Sequence, residues 1–141
     1  MAGLPIYLID RLQRIQNNAA RLVTGSSKFD HVSPLLSSLH WLPVSDRIDY
    51  KISSLTYSAV CGTGPAYLSE LVQLYTPSRS LRSSSDTKLL HIPSVRTKSC
   101  GQRSFTYLAP TTWNNLPASL RHAESVTSFK SSLKTHLFKA D

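Results

Sequence analysis

Acidic side chains are scarce in this sequence of 141 residues, which has 8 aspartates and glutamates against 16 lysines and arginines. The formal net charge is +8, and nearly all of it comes from residues 71–141, where ten basic side chains face three acidic ones. A positive field of this strength attracts polyanions, and nucleic acid is the commonest of them, ahead of anionic membranes and acidic proteins. Charge alone also fits a basic domain that has no specific ligand.

Cysteine is nearly absent, since the chain has Cys61 and Cys100 alone. Neither belongs to a Cys-x-x-Cys pair, no histidine stands at zinc-finger spacing from them, and two thiols cannot form a disulfide framework. We expect both thiols to be reduced. We also expect Cys61 to act as a small hydrophobic residue of the core at a helix end.

Long hydrophobic runs are missing as well. No stretch approaches the roughly 20 apolar residues of a membrane-spanning helix, and the opening residues do not form a signal peptide. These absences predict a soluble intracellular protein of the nucleus or cytoplasm that is not secreted and does not contact a membrane.

Catalytic groups are sparse. The sequence has no adjacent pair of aspartates of the kind that binds the two metal ions of a polymerase, and Asp46 and Asp49 stand at a predicted helix start. Five scattered histidines form no i, i+4 pair with another ligand, and few carboxylates are left for acid–base work. We therefore predict no catalytic residues, no metal site and no cofactor.

Apolar residues recur at helical spacing in several segments. In residues 7–24 the intervals of four, three, four and three residues predict an amphipathic helix that ends at Gly25. The same spacing predicts helices that start near Ser45, cover residues 66–74 and cover residues 125–139. The apolar seam of the first helix, expected in the core, consists of Leu8, Leu12, Ile15, Ala19 and Leu22.

The tryptophans of the chain allow one interpretation, whereas a tyrosine pair and an arginine stripe allow two each. Trp41 and Trp113 are predicted to be structural anchors. The pair Tyr50 and Tyr57 shares one helix flank, which fits core packing or base stacking. An arginine stripe on the first helix fits contacts to phosphates, or a solvated face whose stems cover a neighbouring helix.

The fold expected from these patterns is mainly α, with about five helices in a compact bundle. Residues 88–92 and 103–108 alternate as strands do, so they predict a small β-hairpin in the C-terminal half. We expect a single domain over residues 1–141. Its parts are a helical half (1–75), a basic serine-rich loop (76–87), and the hairpin with the C-terminal helix (88–141).

A basic tract lies between Glu70 and Glu124, where Asp86 is the one acidic residue. Its cations, surrounded by serine and threonine, predict contacts to a phosphate backbone, although a solubilising loop or a phosphorylation target also fits. The preferred nucleic-acid contacts are Arg79, Arg82, Arg96, Lys98 and Arg103. The second choices are Arg11, Arg14, Arg21, Lys130 and Lys134.

A series of motifs, in order along nearly the whole chain, resembles one family. They are residues 12–23 (LQRIQNNAARLV), 39–44 (LHWLPV), 47–51 (RIDYK), 64–68 (GPAYL), 75–82 (YTPSRSLR), 109–117 (APTTWNNLP) and 128–138 (SFKSSLKTHLF). Together they resemble the C-terminal, thumb-adjacent region of reverse transcriptases from LINE-type non-LTR retrotransposons of the jockey-like lineage. Each motif alone is weak, and the ordered combination is specific.

The resemblance implies a piece of a polymerase without the endonuclease, the fingers or the palm aspartates, so the family's catalytic residues have no counterpart here. Met1 would then fall inside an older reading frame. The implied role is non-catalytic, non-sequence-specific binding of the RNA or DNA backbone. The alternatives are a transposon relic without a selected function, a fragment that packs against a reverse transcriptase core, and a helix-mediated protein-interaction module. Exposed apolar surface on the first helix favours the packing fragment or the relic.

Overall fold

A computed structural model describes residues 4–76, 88–97 and 100–139. Within these residues the chain is mainly helical, as predicted, and a short 3-10 helix (Gly101–Arg103) precedes the fifth α-helix. The α-helices are α1 (Ile6–Thr24), α2 (Val32–Ser38), α3 (Val44–Val60), α4 (Ala66–Glu70), α5 (Phe105–Asn114), α6 (Ala118–Arg121) and α7 (Val126–Lys139). None of the helices in these ranges is long and apolar enough to cross a membrane.

Helix α1 ends as the sequence predicts. Gly25 adopts a left-handed conformation with φ of 65°, which glycine reaches without steric cost. The following amide, Ser26 N, donates to Arg21 O at 3.0 Å and so satisfies a carbonyl of the last helical turn.

The buried side of α1 differs from the prediction. Its buried residues are Ile9, Gln16 and Ala20, so the expectation that the Leu8–Leu22 seam enters the core is wrong. Within that seam, Leu12, Ile15 and Leu22 are 45%, 65% and 84% exposed. The buried positions each follow a seam residue by one, so α1 is turned about its own axis and its most apolar side does not face the core.

Two glutamines explain this rotation. Gln16 Nε2 donates to Leu42 O at 2.8 Å, and Gln13 Oε1 accepts a hydrogen bond from Val44 N at 2.8 Å. Leu42 O lies in the turn between α2 and α3, and Val44 N belongs to the first residue of α3, where the helix offers it no partner. These backbone groups need partners. The side of α1 that carries the two glutamines therefore faces them, and the apolar seam faces outwards.

The hydrophobic core sits where α3, α5, α6 and α7 meet. Phe129 of α7 stacks on Tyr57 of α3 with ring centroids 4.3 Å apart, and Trp113 of α5 lies 5.8 Å from Phe129. Trp113 and Phe129 are completely buried. Tyr57 also donates its hydroxyl to Ala123 O at 2.8 Å, so this tyrosine belongs to the core.

The predicted β-hairpin is not seen among the described residues, because residues 105–108 of its second run are helical. Phe105 begins α5, and Ser104 precedes it in an extended conformation. The alternation of Phe105 and Tyr107 resembles a strand, but helical spacing continues to Trp113, and burial of Trp113 in the core favours the helix. Pro110 lies inside α5, which continues to Asn114.

The first predicted run of the hairpin finds other partners. Leu90 forms an isolated antiparallel bridge with Leu74, so α4 stops at Glu70 instead of reaching the expected residue 74. On its other side, Leu90 N donates to Asn114 Oδ1 at 2.9 Å and Leu90 O accepts from Asn114 Nδ2 at 2.8 Å. Trp113 Nε1 donates to Lys88 O at 2.6 Å. Side chains of α5 thus take the place of the expected second strand.

The position of Cys61 also differs from the prediction. It stands at the end of α3 as expected, but its side chain is exposed. The core position at this end of the helix is taken by Ala59, which is 5% exposed.

Candidate nucleic-acid interface

The preferred cations of the basic tract are only partly described. Arg79, Arg82 and Lys98 lie outside the described residues. Arg96 and Arg103 are exposed, and Arg103 forms the end of the 3-10 helix before α5. The prediction that this tract contacts phosphates therefore rests on its sequence.

The arginine stripe of α1 is divided by the fold. Arg11 and Arg14 are exposed, so their guanidinium groups are available to an anion. Arg21 is partly buried and donates from Nη2 to Asp30 O at 3.2 Å. Arg21 therefore has a structural contact that holds the loop after α1.

The two lysines of α7 differ in their surroundings although both are exposed. Lys134 lines a cavity of about 680 Å³, and Lys130, one helical turn earlier, is not among the residues that line it. Lys134 Nζ also lies 5.8 Å from the centroid of the Phe138 ring. We call this cavity the basic–aromatic cavity; it is lined by His40, Trp41, Leu42, Arg47, Tyr50, Lys51 and Lys134.

Helix α3 supplies most of the polar wall of the basic–aromatic cavity. Arg47, Tyr50 and Lys51 follow one another at intervals of three and one residues, and this spacing places them on one side of a helix. The two cations of α3 are exposed and Tyr50 is partly buried. A third cation, Lys134 of α7, meets them across the cavity.

The turn between α2 and α3 supplies the remaining aromatic wall. His40 has a positive φ of 54°, a left-handed conformation uncommon for residues other than glycine. His40 N donates to Ser37 O at 3.0 Å and Trp41 N donates to Leu36 O at 2.8 Å, which closes the end of α2. The turn brings Trp41, which is partly buried, to the cavity.

The basic–aromatic cavity has a positive local charge. Three of its seven lining residues carry a permanent positive charge, and none of these described residues carries a carboxylate. Cations on low-dielectric walls focus the field inside a cleft. The arrangement suits an anion that also has a flat apolar part.

A second cavity, of about 450 Å³, contains an acid, a histidine and a hydroxyl: Asp49, His136 and Ser53. Desolvation by burial raises the pKa of Asp49 above its ordinary value of 3.8. Among the described residues no hydrogen bond joins these three groups, and Ser53 Oγ has no hydrogen-bond partner. A nucleophile and its base are recognised by such a contact. The described residues also contain no group of three or more metal-binding side chains.

An apolar groove lies beside α1 and has a volume of about 550 Å³. We call it the α1–α3 groove; its lining residues are Leu12, Ile15, Gln16, Ala19, Trp41, Val44, Arg47, Ile48, Lys51 and Ile52. Three residues of the apolar seam, Leu12, Ile15 and Ala19, line its α1 side together with Gln16. Contiguous exposed apolar surface of this kind marks interaction sites.

Sequence reasoning missed Arg47 and Lys51 as site residues. They lie in residues 1–70, where six basic and five acidic side chains nearly balance, so a count of charge along the chain did not select them. The available signal was local: Arg47, Tyr50 and Lys51 follow Trp41 within ten residues. Of the predicted contacts that the structure describes, Lys134 joins them in the basic–aromatic cavity.

Comparison with known proteins gives no match, whether with family models, with curated proteins or with solved structures.

Proposed function

We propose that this chain binds the backbone of RNA or DNA without catalysis and without sequence specificity, as the C-terminal part of a LINE-type reverse transcriptase that its motifs resemble. The observation that carries the proposal is the basic–aromatic cavity, where Arg47, Lys51 and Lys134 converge. Binding of this kind takes place in the nucleus or the cytoplasm.

The physical support is electrostatic. Each cation that neutralises a phosphate releases condensed counterions, and this term supplies most of the affinity of non-specific binding. Three converging cations provide a defined set of phosphate contacts, and exposed Arg11, Arg14, Arg96, Arg103 and Lys130 extend the positive surface. Partners of opposite charge are thereby drawn to the chain from solution.

We expect binding to an RNA hairpin and to a DNA duplex to weaken steeply with salt. The plot of log affinity against log salt has a negative slope. Replacing Arg47, Lys51 and Lys134 by alanine is expected to make this slope shallower by about 2–3, because three phosphate contacts are lost. The measurement is a titration by fluorescence anisotropy at several salt concentrations.

The matched control removes three exposed cations outside the cavity: Arg11, Arg14 and Lys130. It changes the net charge by the same amount as the cavity variant. If affinity depended on net charge alone, both variants would lose equal affinity. A flat salt dependence of the unmodified chain, with weak binding to both nucleic acids, would contradict nucleic-acid binding altogether.

A second candidate function is favoured by the exposed seam of α1. We propose that the α1–α3 groove packs against a polypeptide, and that the occupant is the reverse transcriptase core that precedes this region in the family the chain resembles. Leu22 and Val23 extend the apolar surface at 84% and 62% exposure. Burial of such side chains stabilises a complex by roughly 1.5–3 kcal/mol each.

Replacing Leu12, Ile15 and Leu22 by glutamine is expected to leave folding intact while it abolishes docking. Glutamine keeps good helix propensity, and surface substitutions usually change stability by about 0.5 kcal/mol or less. The measurement is calorimetric titration of a purified LINE-type reverse transcriptase core with each protein, together with urea unfolding. Ile9→Gln, at a position that is 8% exposed, is the control that should destabilise the fold. Equal binding of the core by the unmodified chain and the triple variant would eliminate this candidate.

A further inference from the structure

The aromatic residues of the basic–aromatic cavity carry an inference beyond phosphate binding. We infer that this cavity holds an unpaired nucleotide of a single strand, with its base against Trp41 and Tyr50 and its phosphates on Arg47, Lys51 and Lys134. The inference rests on the proposed nucleic-acid binding and specifies its ligand: single-stranded RNA or DNA rather than duplex.

Neither Trp41 nor Tyr50 makes a ring–ring contact among the described residues, although Tyr50 also packs against the edge of the hydrophobic core. The contacts between two aromatic rings among the described residues join Tyr57, Trp113 and Phe129. Trp41 and Tyr50 are both partly buried and line the cavity. A base in a single strand exposes the flat surface that such rings bind.

The two tryptophans of the chain show this difference clearly. Trp113 is completely buried, and its Nε1 donates to Lys88 O at 2.6 Å. Trp41 lies on cavity walls beside Arg47 and Lys51. The prediction that both tryptophans are structural anchors therefore describes Trp113 fully, whereas Trp41 also offers a surface to a ligand.

The size and charge of the cavity fit a nucleotide. Its volume of about 680 Å³ lies within the range of roughly 300–1,000 Å³ for small-molecule sites. Cations and aromatic side chains lie together in it, which is the combination that sequence-tolerant single-strand binding uses. In a duplex the bases are paired and stacked on each other, so their faces do not reach side chains outside the helix.

The test compares two ligands that carry the same phosphates. The first is an oligodeoxythymidine of about ten nucleotides, and the second is a strand of equal length in which abasic sites replace the nucleotides. We expect the unmodified chain to bind the abasic strand about tenfold more weakly or worse, because base stacking is lost. Binding is followed by anisotropy of a terminal dye.

Tryptophan fluorescence provides an independent readout on the protein. Oligodeoxythymidine is expected to quench Trp41, while the buried Trp113 contributes a constant background. Trp41→Phe should lose the quenching and keep most of the affinity, because an aromatic ring remains. The triple variant of Arg47, Lys51 and Lys134 should lose both. A control variant that replaces Lys28 and Lys139, two exposed lysines that do not line the cavity, should retain the quenching.

The outcomes separate this inference from the proposed function. Equal affinity for both strands without quenching overturns the nucleotide site and leaves backbone binding in place. Tighter binding of a matched duplex than of the single strand overturns the inference in the same way. If the chain binds none of these ligands, both proposals are overturned.

Discussion

Replacing Phe129 by alanine is expected to lower the free energy of unfolding by about 3–5 kcal/mol. Phe129 is completely buried and lies between Tyr57 and Trp113, with ring centroids at 4.3 and 5.8 Å. The substitution removes the stacked ring from both neighbours and leaves a cavity where α3, α5 and α7 meet. Because small domains are stable by only about 5–15 kcal/mol, this loss is a large part of the total.

Urea unfolding followed by circular dichroism measures the effect. Phe29→Ala is a control of the same chemistry, since Phe29 is 83% exposed and Lys28 Nζ lies 4.9 Å from the centroid of its ring. The control is expected to change stability by about 0.5 kcal/mol or less. Similar unfolding midpoints for both variants would show that the core is centred elsewhere.

Replacing Asn114 by alanine is expected to cost about 2–4 kcal/mol, because two backbone groups of Leu90 lose their partner at once. Leu90 is 2% exposed, so water cannot readily replace the amide that donates to its carbonyl at 2.8 Å and accepts from its N–H at 2.9 Å. The bridge to Leu74 should weaken as well, since both contacts hold the same short segment.

Asn115→Ala provides the control for this prediction. Asn115 is the exposed neighbour at the end of α5, and its replacement should leave the unfolding curve nearly unchanged. Amide hydrogen exchange offers a local readout, in which Asn114→Ala accelerates exchange at Leu90 N before the rest of the core. Unchanged protection of that amide would refute the assigned role of Asn114.

The sequence predicted the helices α1, α3 and α7 well, because their apolar spacing and their end signals agree. Gly25 ends α1 as expected, and α7 covers Val126–Lys139 against the expected 125–139. Local patterns of this kind depend on neighbouring residues and are readable from one sequence.

The choice of buried face and the hairpin could not be predicted in the same way. Gln16 is buried by a bond to Leu42 O, 26 residues away, and a ranking by hydrophobicity places leucine before glutamine. Phe105 and Tyr107 alternate as in a strand, yet packing of α5 against distant α3 residues makes them helical. Both errors come from contacts that a local pattern does not contain.

Of the residues that line the basic–aromatic cavity, one was predicted from the sequence as a nucleic-acid contact. Lys134 was a second choice, whereas Arg47 and Lys51 were not chosen, since charge counts along the chain do not show which cations converge in space. Trp41 was predicted to be a structural anchor. The cations Arg79 and Arg82 lie outside the described residues, and their role stays a prediction.

Trp41 is shared between the basic–aromatic cavity and the α1–α3 groove, and it also lines a third cavity beside α2. If both proposed ligands bind, the same indole lies beside each of them. An occupant of the groove that fixes one rotamer of Trp41 changes the free energy of nucleotide binding, and thermodynamic linkage makes the effect equal in the opposite direction. Arg47 and Lys51 also line both sites, so a polypeptide seated against α1 would compete with a nucleic acid for the same cations.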